Sequence, residues 1–250
     1  MAVDTRATRA GAVTAPLRRR PLGPRDPGYW ANLRYLTFGR AFPAILFGFM
    51  GYVQLQRVAR ALPTATLGDD LVHVLPQLLY ALFCAIPVLI YLTRPAPTAR
   101  DGSLPARAAA FTGTLMQLIV GAFLPSGPRL WEEPAWTGAI VFVLALSAWS
   151  FALWGILHLR RSLSIIPEAR RLVTTGPYRI VRHPLYLAEM AAALSVVLSW
   201  PALVPIVAFG IFVSMQLVRT RFEERLLTRA FPGEYPAYRA RTARLIPCVV

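Results

Sequence analysis

Along the chain, long apolar runs alternate with short polar segments that carry arginine. Apolar stretches at about Tyr35–Val58, Leu71–Leu92, Ala108–Leu124 and Trp136–Leu157 each approach the roughly 20 residues a helix needs to cross a hydrocarbon core, and they predict four transmembrane helices. A fifth apolar region, Leu185 to Val218, is 34 residues long and exceeds one crossing. Trp200-Pro201 divides it, because proline removes a backbone donor and tryptophan favours the membrane interface; the expectation is a hairpin of two short, tilted helices. The expected fold is therefore all-α, a polytopic membrane helix bundle of about six transmembrane helices with a C-terminal short-helix hairpin and a cytosolic cap. The opening stretch, Met1 to Gly28, is rich in Arg, Pro, Ala and Thr and lacks an apolar h-region, so it reads as a disordered cytosolic arm and not as a signal peptide. The chain then divides into that arm (1–28), four membrane helices (29–159) and a C-terminal core (160–250).

Composition agrees with the pattern. The 250 residues are 56% hydrophobic with a formal net charge of +15, which excludes a disordered basic tail and disfavours an ordinary soluble domain. All 27 basic residues are arginine. With six spans and both ends inside, 24 of them fall between the start of the chain and Arg40, in the 94–107 loop, in the 160–182 connector and in the segment from 219 onward, and only Arg57, Arg60 and Arg129 fall outside. This satisfies the positive-inside rule and predicts both termini in the cytoplasm, in a composition suggestive of a bacterial inner membrane. The basic excess thus speaks for orientation and for attraction to membrane lipids, and no nucleic-acid partner is expected. Cys84 lies inside an apolar run and Cys248 near the end, so neither a disulfide framework nor a metal site is expected.

Two cytosolic segments carry more chemistry than their position requires. In Arg160 to Tyr186, Gly176-Pro177 signals a turn, and His183-Pro184 stands where the chain re-enters the membrane, with proline suited to the first helical turn. Glu189, one turn further, should face the bundle interior or a hydrated cavity because a lipid-facing carboxylate is costly; a partner for Arg182 and a site role are equally open. In Arg219 to Pro247, Arg219 and Glu223 are spaced as an i,i+4 pair, and Phe231 to Tyr238 makes a turn-rich aromatic cap.

GPYRIVRHPLYLAE, followed some thirty residues on by R-x-x-x-E-E, then F-x-G-E-Y-x-x-Y and a terminal R-x-I-P, resembles the isoprenylcysteine carboxyl methyltransferase and phospholipid methyltransferase superfamily of membrane enzymes over about Arg160 to Pro247. The resemblance implies an S-adenosyl-L-methionine site on the cytosolic side. By motif, Tyr178 and the run His183, Pro184, Leu185 and Tyr186 would contact the cofactor, Leu172 and Val173 would line it, and Glu223 would bind its polar end. Glu224 is carried over as a cofactor or supporting residue, and Arg219 as the substrate-facing arginine. The chemistry suits these residue types: aromatic and apolar side chains for adenine, a carboxylate for ammonium or ribose hydroxyls, aromatic faces for a sulfonium. The implied acceptor is a lipophilic small molecule or lipid entering from the leaflet. A carboxylate acceptor would be oriented by Arg219 and need no base; an amine would make Glu189 or Glu223 the candidate base. Two other readings are open, a sterol-reductase-like NADPH-dependent membrane reductase and a non-enzymatic lipid-binding or transport protein.

Overall fold

The computed structural model describes residues 28–62, 69–122, 127–132, 134 and 136–247; the arginine-rich arm, up to residue 27, lies outside them. Helix α1 (Tyr29–Leu36) runs through a π-helical segment, Thr37–Ala41, into α2 (Phe42–Ala61). There follow α3 (Asp69–Thr93), α4 (Leu104–Ala122), α5 (Thr137–Leu159), α6 (Pro184–Ser199), α7 (Leu203–Ala230) and a short α8 (Glu234–Ala240). The protein is a helical membrane bundle, and its helices stand where the apolar runs predict them. Asn32–Ala61, Val74–Thr93, Thr137–Ser162 and Leu203–Ala230 are long and apolar enough to cross a membrane, and α6 is a shorter apolar helix.

The hairpin breaks at Trp200-Pro201 as expected, with Trp200 out of helical geometry and Ala202 in extended backbone. Its second arm corrects the expectation. Whereas α6 has 16 residues, α7 has 28, about 42 Å at 1.5 Å per residue. The switch from apolar to charged side chains at Arg219 changes the environment of the helix and not its backbone preference, since Arg, Glu and Leu are all strong helix formers and no proline follows until Pro232. One rigid element therefore carries the membrane span and Arg219, Glu223 and Glu224 together.

Helix α2 packs on α3, α3 on α5, α5 on α6, and α7 on both α4 and α6. The main core joins Phe47 and Met50 of α2, Phe83, Cys84 and Tyr91 of α3, Trp149 and Ile156 of α5, and Leu185 and Ala188 of α6. Tyr80 stacks on Trp149 with ring centroids 4.1 Å apart. At Gly113 of α4 a Cβ would lie 3.1 Å from Cδ of Arg219 and 3.3 Å from Oε1 of Gln216. The missing side chain is what lets α7 bring those two polar groups against α4.

Outside the helices, a two-residue ladder joins β1 (Ala99–Arg100) to β2 (Glu168–Ala169), antiparallel, with Arg100 opposite Glu168. It fastens the α3–α4 loop to the connector and buries the Glu168 side chain fully. Around that carboxylate stand Arg94 at 3.4 Å, Arg100 at 3.2 Å and Arg170 at 2.7 Å, and the Ser164 hydroxyl donates to it at 2.8 Å. Arg94 also donates to the carbonyls of Leu163, at 2.6 Å, and Gly39. A single carboxylate thus ties together the junction of α3, the π-helical segment and the connector, sharing its charge among three guanidinium groups. Glu168→Ala leaves buried guanidinium groups without their counter-charge, and is expected to destabilise the protein by roughly 3–5 kcal/mol, read as a large fall in melting temperature in detergent; an unchanged melting temperature would show that the cluster is held by its backbone carbonyl bonds alone.

Candidate active site

The connector after α5 reaches its turn at Gly176–Arg179, a short 3-10 helix. Gly176 has φ 61, and a Cβ there would lie 2.4 Å from the His158 ring of α5, so both conformation and contact require glycine. The turn buries Tyr178, whose carbonyl accepts the Tyr238 hydroxyl of α8 at 2.7 Å. Pro184 then opens α6 at its first position, where its missing donor is harmless. Immediately before it the C-terminal tail pairs with the connector: Arg182 N–H donates to Ala243 O at 2.8 Å and His183 N–H to Arg244 O at 3.1 Å. The aromatic cap is thereby pinned across the mouth of α6.

The two carboxylates expected to act together do different things. Glu224, 5% exposed, accepts from Arg182 Nε at 2.9 Å, Arg244 Nη2 at 3.0 Å and His183 Nε2 at 3.4 Å. It joins α7, the start of α6 and the C-terminal tail, and does not line the cavity described below. Glu223 does line it, with its side chain 22% exposed. The Tyr186 hydroxyl donates to one oxygen of Glu223, and His183 Nδ1 lies 3.6 Å from the other. His183 and Tyr186 stack at 5.5 Å with only 10° between their planes. Burial opposes a charge on His183, but its hydrogen bonds and charge attraction to Glu223 and Glu224 outweigh that and raise its pKa above the ordinary 6.5. Burial is likewise the main cause raising the Tyr178 phenol well above its usual range.

Deeper in, Gln216 Nε2 donates to Glu189 Oε2 at 2.6 Å and Gln216 Oε1 accepts Arg219 Nη1 at 2.8 Å. Arg219 Nη2 donates to Ile165 O at 3.2 Å, and its guanidinium lies 4.7 Å over the Tyr186 ring. Glu189 faces the interior, as its cost in lipid requires, but its partner is Gln216; Arg182 is taken by Glu224.

These groups share one cavity of about 1160 Å³ counted to its open mouth. Leu172, Val173, Tyr178, His183, Leu185, Tyr186, Glu189, Arg219 and Glu223 line it. Of the residues singled out by sequence, Pro184 and Glu224 lie behind its wall. Sequence reasoning missed its inner limb, formed by Phe47 of α2, Phe83, Pro87 and Tyr91 of α3 and Thr114 of α4, and the outer wall of Leu226, Leu227 and Tyr235. Among the described residues no group of three or more His, Cys, Asp or Glu is placed to hold a metal ion.

Residues 135–234 match the phospholipid methyltransferase family, within the isoprenylcysteine carboxyl methyltransferase-like superfamily, a group of membrane methyltransferases. The segment matched includes the connector, the hairpin and the Glu223-Glu224 pair, which carry the motifs described above. The chain is also similar to the nickel-cobalt-cadmium resistance protein NccN of Alcaligenes xylosoxydans xylosoxydans, 28% identical over 158 residues, which is 61% of this chain and 70% of that protein. It is similar as well to the cobalt-zinc-cadmium resistance protein CzcN of Cupriavidus metallidurans, 29% identical over 131 residues, 50% of this chain and 57% of that one.

Two outcomes follow from the division of labour between the carboxylates and from His183. Glu224→Gln strands the buried Arg182 and is expected to cost about 3–5 kcal/mol of stability, whereas Glu223→Gln at the half-open cavity wall is expected to cost about 1 kcal/mol or less; comparable melting temperatures for the two variants would contradict the assignment. Because the folded pKa of His183 is raised, its stabilising contacts are complete below the ordinary value of 6.5 and are lost as pH climbs through the higher folded value. The melting temperature should accordingly decline as pH rises above about 6.5, and His183→Gln should flatten that decline.

Proposed function

We propose that this protein is an S-adenosyl-L-methionine-dependent methyltransferase of the isoprenylcysteine carboxyl methyltransferase type, transferring a methyl group to a lipophilic acceptor at the cytosolic membrane interface. One observation supports it above the others: a carboxylate, an aromatic stack and a buried guanidinium open into the same cavity, whose inner walls come from membrane helices. The residues present suit the cofactor. The Glu223 carboxylate offers an acceptor for an ammonium group or ribose hydroxyls, and Tyr178, Leu172, Val173 and Leu226 offer an apolar, aromatic wall for a purine. The buried Tyr235 hydroxyl, which also lines the cavity, has no partner among the described residues and is free to bond a ligand.

When bound, the cofactor supplies a methyl group on a positively charged sulfur. The chain's own task is then mainly positional, and positioning two reactants is worth up to about 7–11 kcal/mol in favourable cases. Glu223 holds the polar end of the cofactor near the mouth. Arg219, fixed by Gln216 and the Ile165 carbonyl, orients the acceptor through a charge-assisted bond. The aromatic cap of Tyr235 and Tyr238, pinned by the C-terminal tail, limits water above the site. A carboxylate acceptor held by Arg219 would arrive already deprotonated and would need no base from this chain.

Calorimetry on purified protein tests the cofactor: S-adenosylhomocysteine should bind and NADPH should not, and the opposite outcome would establish the reductase alternative. Glu223→Ala should abolish that binding. Arg219→Ala should preserve it and lower transfer of labelled methyl into membrane lipid by roughly 10²-fold or more; full methylation by Arg219→Ala with every acceptor tried would remove Arg219 from the mechanism.

A further inference from the structure

A second, smaller cavity opens at the rim of the bundle, about 220 Å³ counted to its mouth. Arg94, Arg100 and Ser164 contribute polar groups to its lining, and Phe38, Pro43 and Phe111 contribute apolar ones. We propose that this cavity binds the head group of an anionic phospholipid, with Arg94 and Arg100 at its phosphate and an acyl chain along the outer face of α2. The bound lipid is a partner and not a reactant, so the inference does not depend on the chemistry assigned to the main cavity.

Charge is the first reason. Arg94, Arg100 and Arg170 share one carboxylate, Glu168, and Arg40 joins them by donating to the Arg94 carbonyl. Asp101, on the same loop, is taken up in capping the Ser103 N–H at 3.0 Å. Three nitrogens of the cluster, Arg40 Nε, Arg94 Nε and Arg170 Nη1, are buried with no hydrogen-bond partner among the described residues. One carboxylate does not balance four guanidinium groups, and buried donors left unpaired are costly. A second anion beside the cluster supplies the missing charge, and an oxyanion is the partner that guanidinium groups take with charge-assisted bonds. Such a ligand has access, because the Arg100 side chain is 29% exposed and Arg94 forms part of the cavity wall.

The surroundings say what carries the anion. Helix α3 ends at Thr93 and α4 begins at Leu104, so Arg94 and Arg100 stand where the chain leaves the apolar layer. Phe38 is 58% exposed, and Phe42, Ile45 and Phe49 continue from it along α2 as exposed apolar side chains at helical spacing. Phe42 meets Phe111 edge-on at 5.8 Å, which joins this stripe to the cavity. A free phosphate would use the arginines alone, whereas a phospholipid uses both parts, and basic pockets at helix ends take anionic lipid head groups. The backbone of Phe38 and Gly39 is π-helical, a geometry that recurs at functional sites. The two cavities share Tyr91, Ser164 and Ile165 as a common wall, and the Ile165 carbonyl accepts from Arg219. A head group bound here therefore braces the connector directly behind Arg219.

Native mass spectrometry of the delipidated full-length protein tests this with phosphatidylglycerol and phosphatidylcholine of identical chains. Phosphatidylglycerol should bind about tenfold more tightly, and Arg100→Gln should remove most of that preference. Phe38→Glu, a change at an exposed position, should do the same by setting a like charge at the mouth. Arg225→Gln, at an exposed position of α7 away from the cavity, should bind as wild type does. Equal binding of the two lipids overturns the inference, as does an Arg100→Gln or Phe38→Glu protein that keeps the wild-type preference. Equal weakening by Arg225→Gln overturns it too, by assigning the preference to overall charge. Inorganic phosphate should not displace phosphatidylglycerol; displacement would make a free anion the ligand and remove the lipid.

Discussion

Charge placed at the rim of a membrane bundle has to be answered there, and in this protein Glu224 answers it. Arg182 precedes α6, Arg244 belongs to the C-terminal tail and Glu224 sits on α7, so one buried carboxylate closes three segments far apart in sequence. His183 completes the set. The interaction is strong because each partner would otherwise be a stranded ion, and its worth lies as much in specifying which segments meet as in net stability. Once it is made, the rest follows: the tail runs beside the connector, the aromatic cap lies over the cavity, and Glu223, the next residue on the helix, is turned to the inside of the wall. The hub and the site are adjacent positions on one turn of one helix, and the first fixes the aim of the second.

The bundle needed a second such device where the first helices end. Glu168 performs it with Arg94, Arg100 and Arg170. The two clusters bracket the connector, one near its beginning and one at its end, and the cavity lies between them. This explains why the connector, which has almost no regular secondary structure, can still place Ile165, Leu172, Val173 and Tyr178 against a ligand space. Its backbone is tied by ion pairs at both ends, by a two-residue ladder, and by a glycine turn that fits only against His158. A loop so constrained has the positional accuracy that binding sites need from otherwise mobile segments.

Much of this was legible in the sequence, and the parts that were not share a physical cause. Apolar runs of the right length located the helices, and Trp200-Pro201 located the break, because both signals are local. The length of α7 was hidden because the onset of charge at Arg219 resembles the end of a membrane helix, although helix propensity continues through Ala230. The motif brought Tyr178, His183, Tyr186, Arg219 and Glu223 to attention, and the structure brings these five together. It gave Glu223 the cofactor's polar end and left Glu224 open between a cofactor and a supporting role; the 100° between successive helical positions is what puts the first on the cavity and the second behind its wall. The pairing of Arg182 was misjudged for the opposite reason: Glu189 is near in sequence, whereas Glu224 is 42 residues away. Phe47, Phe83 and Tyr91 left no signal at all, since an aromatic residue in an apolar helix looks the same whether it faces another helix or a cavity.

That last blindness has a general basis, and Tyr91 shows how structure removes it. Sequence patterning reports whether a face is apolar, not whether its polar atoms are satisfied. In a membrane bundle the distinction is sharp, because each buried donor has to be accounted for by protein, by a ligand or by water that enters a cavity. Thr114, in the same limb, is satisfied by Ala110 O at 2.9 Å, a bond within its own helix. Tyr91 differs, because its hydroxyl stands at the end of a rigid ring beyond the reach of its own helix backbone, and what it meets is the Ile165 backbone of the connector. Arg219 reaches the cavity from α7, with Gly113 of α4 leaving the room for its approach. The first helices therefore do more than anchor the chain: α2, α3 and α4 line the same cavity as the residues of the family motif.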